Sequence, residues 1–253
     1  MGFNTPREKR HSPTAIKTFD QCPKKWQFQY RIKPPIDKKI GPPLILGNAI
    51  HTVLERTLKL PVANRSVSAS QDLLREIWPQ QEGRAEAFAS RDEEKEWGEK
   101  GLGIIEAFAE TPDWEATPLH VEDWAELPLA GGSELFGKID RVDAAEDDGI
   151  EVIDYKTGKC RIEVDGLSHD IGAQVYAVAA EHTFQKPVRR VRFIFLEAGC
   201  DRVWEPDEDL ADLRELLADE VDVIETTTEF ETRTSGLCNW CDYQALCPAF
   251  AAA

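Results

Sequence analysis

Several signals that would assign a chain to a familiar class are missing from this sequence. No apolar run approaches the roughly 20 residues that a membrane-spanning helix needs, and the stretch MGFNTPREKRHSPT has no apolar core of a secretory signal. The 6 cysteines among 253 residues are too few for a disulfide-rich secreted domain. Internal repeats and low-complexity segments are also missing from the sequence. We therefore expect a cytoplasmic protein that makes no membrane contact.

Positive charge is scarce and unevenly distributed. The formal net charge is −17, which argues against a general nucleic-acid coat protein. Residues 1–39 nevertheless carry ten Lys and Arg against three acids, a local charge of +7 that leaves −24 for the rest. This asymmetry favours a basic face that meets an anionic partner. A solvated acidic surface with a basic end explains the charge alone equally well.

The order of predicted elements is helices, a strand meander, a helix, a strand and a helix. Helical spacing and breakers predict helices at 12–30, Asn48 to about Leu60, 70–78, 84–110, 168–184 and about 207–225, with a loop at 31–46. Alternating stretches separated by Gly-Gly and Asp-Asp-Gly turns predict consecutive antiparallel strands at 120–129, 134–144 and 149–157, and another strand at 188–199. This order predicts an α/β fold with a mixed central sheet flanked by helices.

Acidic and basic side chains in the meander suggest hydrolytic chemistry. Asp154 and Lys156 share one face of their predicted strand, and Asp140 on the neighbouring strand can reach that face. Two close carboxylates raise each other's pKa unless a cation lies between them, and oxygen ligands suit a hard divalent ion. With Lys156 to orient or deprotonate water, these are the parts of metal-assisted phosphodiester hydrolysis. The alternative is a surface salt bridge between Asp154 and Lys156.

A histidine on the second predicted helix extends this set. In LGNAIHTVLE, His51 borders the apolar stripe and Glu55 follows one turn later, where it could hydrogen-bond in support or simply be solvated. Gly47 allows another element to approach the backbone closely. Imidazole beside carboxylates would shift the preferred ion toward a transition metal such as manganese.

Four motifs in order carry a resemblance to a known family. They are G-x-x-x-H from Gly47 to His51, G-x-x-D ending at Asp140, D-x-K-T-G beginning at Asp154, and a helix that contains Gln174 and Tyr176. Together they resemble the RecB-type branch of the PD-(D/E)XK nuclease superfamily, and the small CRISPR-associated or phage iron–sulfur exonucleases in it. The family's helix motif is usually Q-x-x-x-Y, whereas Gln174 and Tyr176 are two positions apart and Gly172 lies four before Tyr176.

The resemblance implies a metal-dependent DNA exonuclease that acts on single-stranded ends. It implies that Mn²⁺ or Mg²⁺ binds His51, Asp140, Asp154 and the backbone carbonyl of Tyr155. Lys156 would position the attacking water, and Gln174 or Tyr176 would reach a phosphate or a base. The family's architecture further implies one nuclease domain over 1–253 with a helical insertion at 62–115.

Three cysteines within SGLCNWCDYQALCP lack a fourth ligand nearby. The resemblance supplies Cys22, which would join Cys238, Cys241 and Cys247 around a [4Fe–4S] cluster and tie segments 1–40 and 226–253 together. Such a cluster would restrain a loop of more than two hundred residues. A four-cysteine zinc site is the alternative, and Cys160 and Cys200 fit neither pattern and read as buried inert thiols.

The same resemblance implies DNA as the partner of the basic N-terminal segment. The candidate phosphate contacts are Lys24, Lys25, Arg31, Lys33, Lys38 and Lys39. Trp26 could stack on a base, although core packing is the stronger interpretation of that residue. Two alternatives stay open: a nucleic-acid-binding subunit that does not cut, and an adaptor in a complex for DNA recombination, repair or CRISPR adaptation.

Overall fold

A mixed β-sheet with helices on both faces forms the centre of the molecule. The computed structural model describes residues 9–36, 40–207 and 209–250. Its strands are β1 (Arg10–His11), β2 (His120–Pro128), β3 (Glu134–Ala144), β4 (Ile150–Lys156), β5 (Val188–Phe195) and β6 (Cys200–Trp204). The order along the sheet is β1-β3-β4-β5-β6, and β2 pairs with the other edge of β3.

The sheet combines antiparallel and parallel pairs. β2, β3 and β4 form an antiparallel meander, and β5 then pairs parallel to β4 after a helical crossover. β6 pairs antiparallel to β5, and the short β1 pairs parallel to the start of β3. This arrangement matches the predicted antiparallel meander and the predicted mixed sheet.

The helices of the described residues flank this sheet. They are α1 (Pro13–Gln21), α2 (Pro23–Trp26), α3 (Pro42–Leu58), α4 (Val67–Ile77), α5 (Arg84–Ala87), α6 (Arg91–Ala109), α7 (Ile171–Phe184) and α8 (Ala211–Thr226), with a π-helical turn at Gln27–Ile32 after α2. In the described part of the chain, no helix combines the length and apolar character needed to cross a membrane.

Two apolar cores lie on opposite faces of the sheet. On one face, α7 packs against β2, β3 and β5 with Val175, Val178 and other small or β-branched residues. On the other face, α3, α4 and α6 form a separate core, and Ile50, Ile105 and the sheet residue Ile153 belong to the same buried cluster. The buried apolar residues of α3, among them Ile50 and Val53, pack against this face and thereby fix the position of the polar residues on the same helix.

The two ends of the described chain lie against each other. The ring of Trp26 stacks on Phe230 with a centroid separation of 6.0 Å, and the Lys24 amide donates to the carbonyl of Glu231 at 3.0 Å. His11 in β1 is buried and lies 2.6 Å from the Glu225 carboxylate near the end of α8. These contacts join residues separated by about two hundred positions without any covalent bond.

Several predicted boundaries were wrong for identifiable reasons. Pro42 and Pro43 occupy the first turn of α3, where proline is tolerated, so the helix begins six residues before the predicted Asn48. The predicted helix at 84–110 is divided by extended backbone at Phe88 and Ser90, the latter capping α6. The prediction also lacked β6, a half-exposed strand after the Gly199 turn, and the two-residue β1.

Candidate metal centre and cysteine pocket

Asp140 and Asp154 meet where β3 and β4 separate. The last paired residues are Arg141 and Ile153, so the two aspartates lie one position beyond the ladder. Asp140 Oδ2 accepts a hydrogen bond of 2.7 Å from the Tyr155 amide, which replaces a lost ladder bond. Both aspartates are buried. The divergence of two strands thus creates a small acidic opening in an otherwise apolar sheet.

His51 brings an imidazole to this opening from α3. Its Nδ1 lies 3.0 Å from Asp140 Oδ1. Gly47, one turn earlier, lies so close to the end of β4 that a Cβ there would be 3.3 Å from the Thr157 hydroxyl. The glycine of the G-x-x-x-H motif therefore allows α3 to approach the D-Y-K-T-G segment.

Glu122 completes the set and was not predicted. Its neighbours pair with Arg141 and Ile139, which places Glu122 opposite Asp140 on β2. One carboxylate oxygen lies 3.7 Å from His51 Nδ1 and the other 2.6 Å from Lys138 Nζ. Ligand atoms of His51, Glu122 and Asp140 all lie within 4.8 Å of one another. The sequence gives only a weak signal for Glu122, because it is one of several acidic residues in its strand. In the structure, the backbone φ of Glu122 is 56°.

Lys156 lies beside Asp154 on the opposite side of the opening. The two form an ion pair at the end of β4, and Lys156 Nζ lies 4.6 Å above the Phe193 ring. Burial alone would lower the pKa of Lys156, but the charges of Asp154 and Asp140 outweigh it and raise that pKa. The amine therefore stays protonated at neutral pH.

The electrostatics of the acidic opening favour a cation. Burial, followed by the charge of Asp140, raises the pKa of Asp154 to about 6 despite the opposing effect of Lys156. Burial would lower the pKa of His51, but hydrogen bonds to Asp140 and Glu122 raise it to about 10. A proton on His51 thus partly balances three carboxylates. One imidazole with several carboxylate oxygens is a donor set that suits Mn²⁺ or Mg²⁺, so the residues present fit a divalent ion.

The two residues predicted on α7 separate in the structure. Tyr176 lies at the acidic opening: burial first, then the charges of Asp154 and Asp140, raise its pKa well above the usual range. Its ring occupies the space over Gly137, where a Cβ would be 2.7 Å from Tyr176 Cε1. Gln174 instead donates from Nε2 to the Ser168 carbonyl at 2.8 Å, which holds the loop before α7.

Glu55 and the Tyr155 side chain bond to partners other than the carboxylates of the acidic opening. Glu55 accepts a hydrogen bond of 2.7 Å from Lys59 on the same helix. The Tyr155 side chain points away from Asp154, and its hydroxyl accepts a hydrogen bond of 3.2 Å from Arg141. The Tyr155 ring lies edge-on to the His51 imidazole with ring centroids 6.3 Å apart, so it borders the acidic opening, while the backbone of Tyr155 bonds to Asp140.

The four cysteines of the predicted cluster line one pocket. Cys22, at the junction of α1 and α2, faces Cys238, Cys241 and Cys247 from the C-terminal segment. None of the four forms a disulfide bond. Among the described residues, no three sulfurs lie within 4.8 Å of one another. A single zinc about 2.3 Å from four thiolates needs sulfurs about 3.8 Å apart, so the four thiols are more widely spaced than one zinc ion requires.

The predicted phosphate-contacting residues are dispersed. Lys24 and Lys25 line the cysteine pocket, and Lys24 Nζ donates to Gln27 at 2.9 Å. Arg31 lies over the rings of Trp26 and Phe230 and reaches carbonyls near the C-terminus of α8 at 3.4 to 3.5 Å. Lys33 lines a different groove. Lys38 and Lys39 lie outside the described residues.

Trp26 and the two remaining cysteines pack internally. Trp26 is only 3% exposed and contacts Phe19, Tyr30 and Phe230, so core packing is the correct interpretation of this tryptophan. Cys160 and Cys200 pack against the core beneath α7 and are partly rather than fully buried.

Comparison with known proteins identifies the family of this chain. The chain belongs to the PD-(D/E)XK nuclease superfamily, whose family model matches residues 10–248. No curated protein sequence matches the chain significantly. A solved "Putative exonuclease" from Eubacterium rectale is 11% identical with a TM-score of 0.58, covering 96% of this chain and 88% of that one. The structure of SSO0001 is 12% identical with a TM-score of 0.46, covering 98% and 90%.

Proposed function

We propose that this protein is a metal-dependent deoxyribonuclease, an exonuclease that hydrolyses phosphodiester bonds at single-stranded DNA ends. The observation that carries the proposal is the convergence of His51, Glu122 and Asp140 beside the Asp154–Lys156 ion pair. Membership of the nuclease superfamily supports the reaction class. The description of the Eubacterium rectale structure supports exonuclease rather than endonuclease activity.

The proposed metal ligands are His51, Asp140, Asp154 and the backbone carbonyl of Tyr155, with Glu122 added by the geometry. A divalent ion held by these residues would polarise the phosphate and lower the pKa of a bound water. Because the pKa of His51 is raised to about 10, the imidazole must lose its proton before it can bind a metal. Metal affinity should therefore increase with pH.

Lys156 and Tyr176 are the proposed catalytic side chains around the ion. The raised pKa of Lys156 means that its amine donates hydrogen bonds and does not act as a base at neutral pH. It would orient the attacking water and stabilise negative charge on the phosphate. The pKa of Tyr176 is also raised, so this side chain keeps its hydroxyl proton. The hydroxyl would donate a hydrogen bond to a phosphate oxygen. Gln174 is left with a role in positioning the loop before α7.

We further propose that Cys22, Cys238, Cys241 and Cys247 bind a [4Fe–4S] cluster. Four thiolates around one pocket are the ligand set that such a cluster uses. Lys25 lies close enough to favour the thiolate of Cys241, although burial raises that pKa. The cluster would fasten the segments 1–40 and 226–253 of a single domain, in which 62–115 is a helical insertion.

A subunit that binds nucleic acid without cutting is the second candidate. It could serve as an adaptor with protein partners in DNA recombination, repair or CRISPR adaptation. The complete acidic opening argues against it, because a subunit that does not cut has no need for buried carboxylates whose pKa is raised. The two candidates differ in one measurable property, which is cleavage by the isolated protein.

The test is degradation of end-labelled DNA by the purified, iron-loaded protein. We expect single-stranded DNA to be shortened from its ends with Mn²⁺ or Mg²⁺ present and to stay intact in EDTA. Matched duplex and circular single-stranded DNA distinguish end-dependent cleavage from internal cleavage. Intact linear DNA at every metal concentration would contradict the proposal and favour the adaptor.

A further inference from the structure

A groove runs along the face of β2 and β3 that points away from α7. It encloses about 730 Å³ between this face and the turn that follows α2. Its lining combines aromatic rings and cations, among them Trp124, Phe136, Tyr30, Arg10 and Lys33. This combination of rings and cations is typical of surfaces that bind single-stranded nucleic acid.

Three side chains form a stack along one wall of the groove. The Arg10 guanidinium lies 4.2 Å above the Phe136 ring, and it is held there by an ion pair of 2.6 Å to Glu134. Phe136 contacts Trp124 with ring centroids 5.8 Å apart and an angle of 31°. Trp124 is 44% exposed, although it is among the largest apolar side chains. The stack therefore supports an indole that is partly exposed to solvent.

The stack is continuous with the acidic opening. Trp124 is the cross-strand partner of Lys138, and Lys138 pairs with Glu122 at 2.6 Å. Glu122 lies two residues from Trp124 on β2, a separation of about 7 Å along the strand. At the 3.4 Å rise of stacked nucleotides, this distance corresponds to about two base steps. Single exposed apolar side chains are common on protein surfaces. Trp124 is of interest because it lies about two base steps from the proposed metal ligands.

We propose that this groove guides a single DNA strand to the metal centre, with one base stacked on Trp124 about two nucleotides from the cleaved bond. The inference rests on the proposed nuclease function and adds a determinant of strand preference. A base within a duplex has both faces covered by its neighbours, so only an unpaired base can stack on the indole. Lys33 and Lys138 would lie beside the phosphates of the strand.

The test measures binding separately from cleavage. In an Asp154→Asn background with Ca²⁺, the dissociation constant of a fluorescent single-stranded oligonucleotide is measured by anisotropy. Trp124→Leu, which keeps an apolar side chain, should weaken binding by about 5- to 150-fold, the loss of one stacked base. Trp124→Phe should retain most of the affinity. Trp240→Ala, at a tryptophan that is 86% exposed elsewhere, should leave the affinity unchanged.

Abasic substitution locates the stacked base. A single abasic site moved along the oligonucleotide should weaken binding of the parent at one position, and Trp124→Leu should remove the sensitivity at that position only. A loss that is equal for duplex and single strand, or an unchanged affinity of Trp124→Leu, would overturn the inference. If the parent sequence cleaves DNA while Trp124→Leu binds normally, the groove assignment fails and the nuclease function stands. A parent that binds but never cleaves refutes only the nuclease function.

Discussion

At the scale of single residues, burial of charge explains the acidic opening. Asp154 is 4% exposed and lies near a second buried carboxylate, so its ionised form is costly in the metal-free protein. His51 and Lys156 offset part of this cost as cations. A divalent ion would offset more of it, which links metal binding to the stability of the fold.

Asp154→Asn should stabilise the metal-free protein. The folded pKa of about 6 lies above the ordinary value of 3.8, so the fold holds a proton that the unfolded chain loses between these values. The penalty is complete above pH 6 and absent below pH 4. The gain should approach about 3 kcal/mol at pH 8 and vanish near pH 4, measured by denaturant unfolding in EDTA.

Asp113→Asn provides a control of opposite sign. Burial would raise the pKa of Asp113, but Arg192 and Arg141 outweigh it and lower that pKa. Asp113→Asn should therefore destabilise the protein at neutral pH, and the difference should shrink as the pH falls below 4. An Asp154→Asn variant that is less stable than the parent at pH 8 would show that the carboxylate is not strained.

Glu122→Gln tests the ligand that the structure added. Loss of a carboxylate from the set should weaken Mn²⁺ affinity by about 10- to 100-fold, as measured by calorimetry or electron paramagnetic resonance. Glu55→Gln is the matched control, because Glu55 bonds to Lys59 and not to His51 or Asp140. Equal affinities of the two variants would remove Glu122 from the site.

At the scale of elements, motif glycines set the distances between helices and strands. Gly47 brings α3 to the end of β4, and Gly137 makes room on β3 for a tyrosine of α7. The acidic opening therefore depends on close approach of backbone on both faces of the sheet. These glycines act through the absence of a Cβ, whatever their backbone angles.

Gly137→Ala should displace Tyr176 and destabilise the protein by about 1–3 kcal/mol, since the new Cβ would lie 2.7 Å from Cε1 of a partly buried ring that packs against the core. Thermal unfolding measures the loss. Gly103→Ala in α6 has no atom within 4 Å of its Cβ and should be neutral or slightly stabilising. If the two variants unfold at the same temperature, the packing of Tyr176 on Gly137 is not tight.

The sequence predicted the elements better than their edges, and the aspartates better than the full site. Partial alternation and turn residues identified the meander, because its strands are short and separated by glycine-containing turns. Asp140, Asp154, Lys156 and His51 followed from spacing along strands and a helix. Glu122 did not, because its position depends on pairing with β3, which no local pattern records. Likewise, the roles of Gln174 and Tyr176 depended on the direction in which α7 faces.

At the scale of the whole molecule, contacts between the two ends close the structure. Trp26 against Phe230, His11 beside Glu225 and the four-cysteine pocket all join the first forty residues to the last thirty. A cluster at the pocket would restrain the longest loop in the chain, and long loops lose most entropy on closure. The two terminal segments, although far from the acidic opening, would thereby stabilise the fold that holds it together.

Cys22→Ser should release the iron, because it removes one of the four proposed ligands. It should also lower the melting temperature, because Cys22 is the ligand that connects the N-terminal segment to the cluster. Cys160→Ser, at a thiol outside the pocket, should retain both the iron content and the visible absorption of the parent. Iron analysis and absorption spectra of anaerobically purified protein measure both outcomes. One tightly bound zinc ion and no colour would instead favour the alternative site.

The most direct test of the central claim is the rate at which Asp154→Asn and Lys156→Ala shorten end-labelled single-stranded DNA in Mn²⁺. We expect losses of at least about 10²-fold for both variants, with the iron content and fold of the parent retained. Added Mn²⁺ should restore neither of them. Asp147→Asn, in the turn between β3 and β4, is the control and should cleave normally. Folded Asp154→Asn and Lys156→Ala proteins that degrade DNA at the parent's rate would show that the acidic opening is not the site of cleavage.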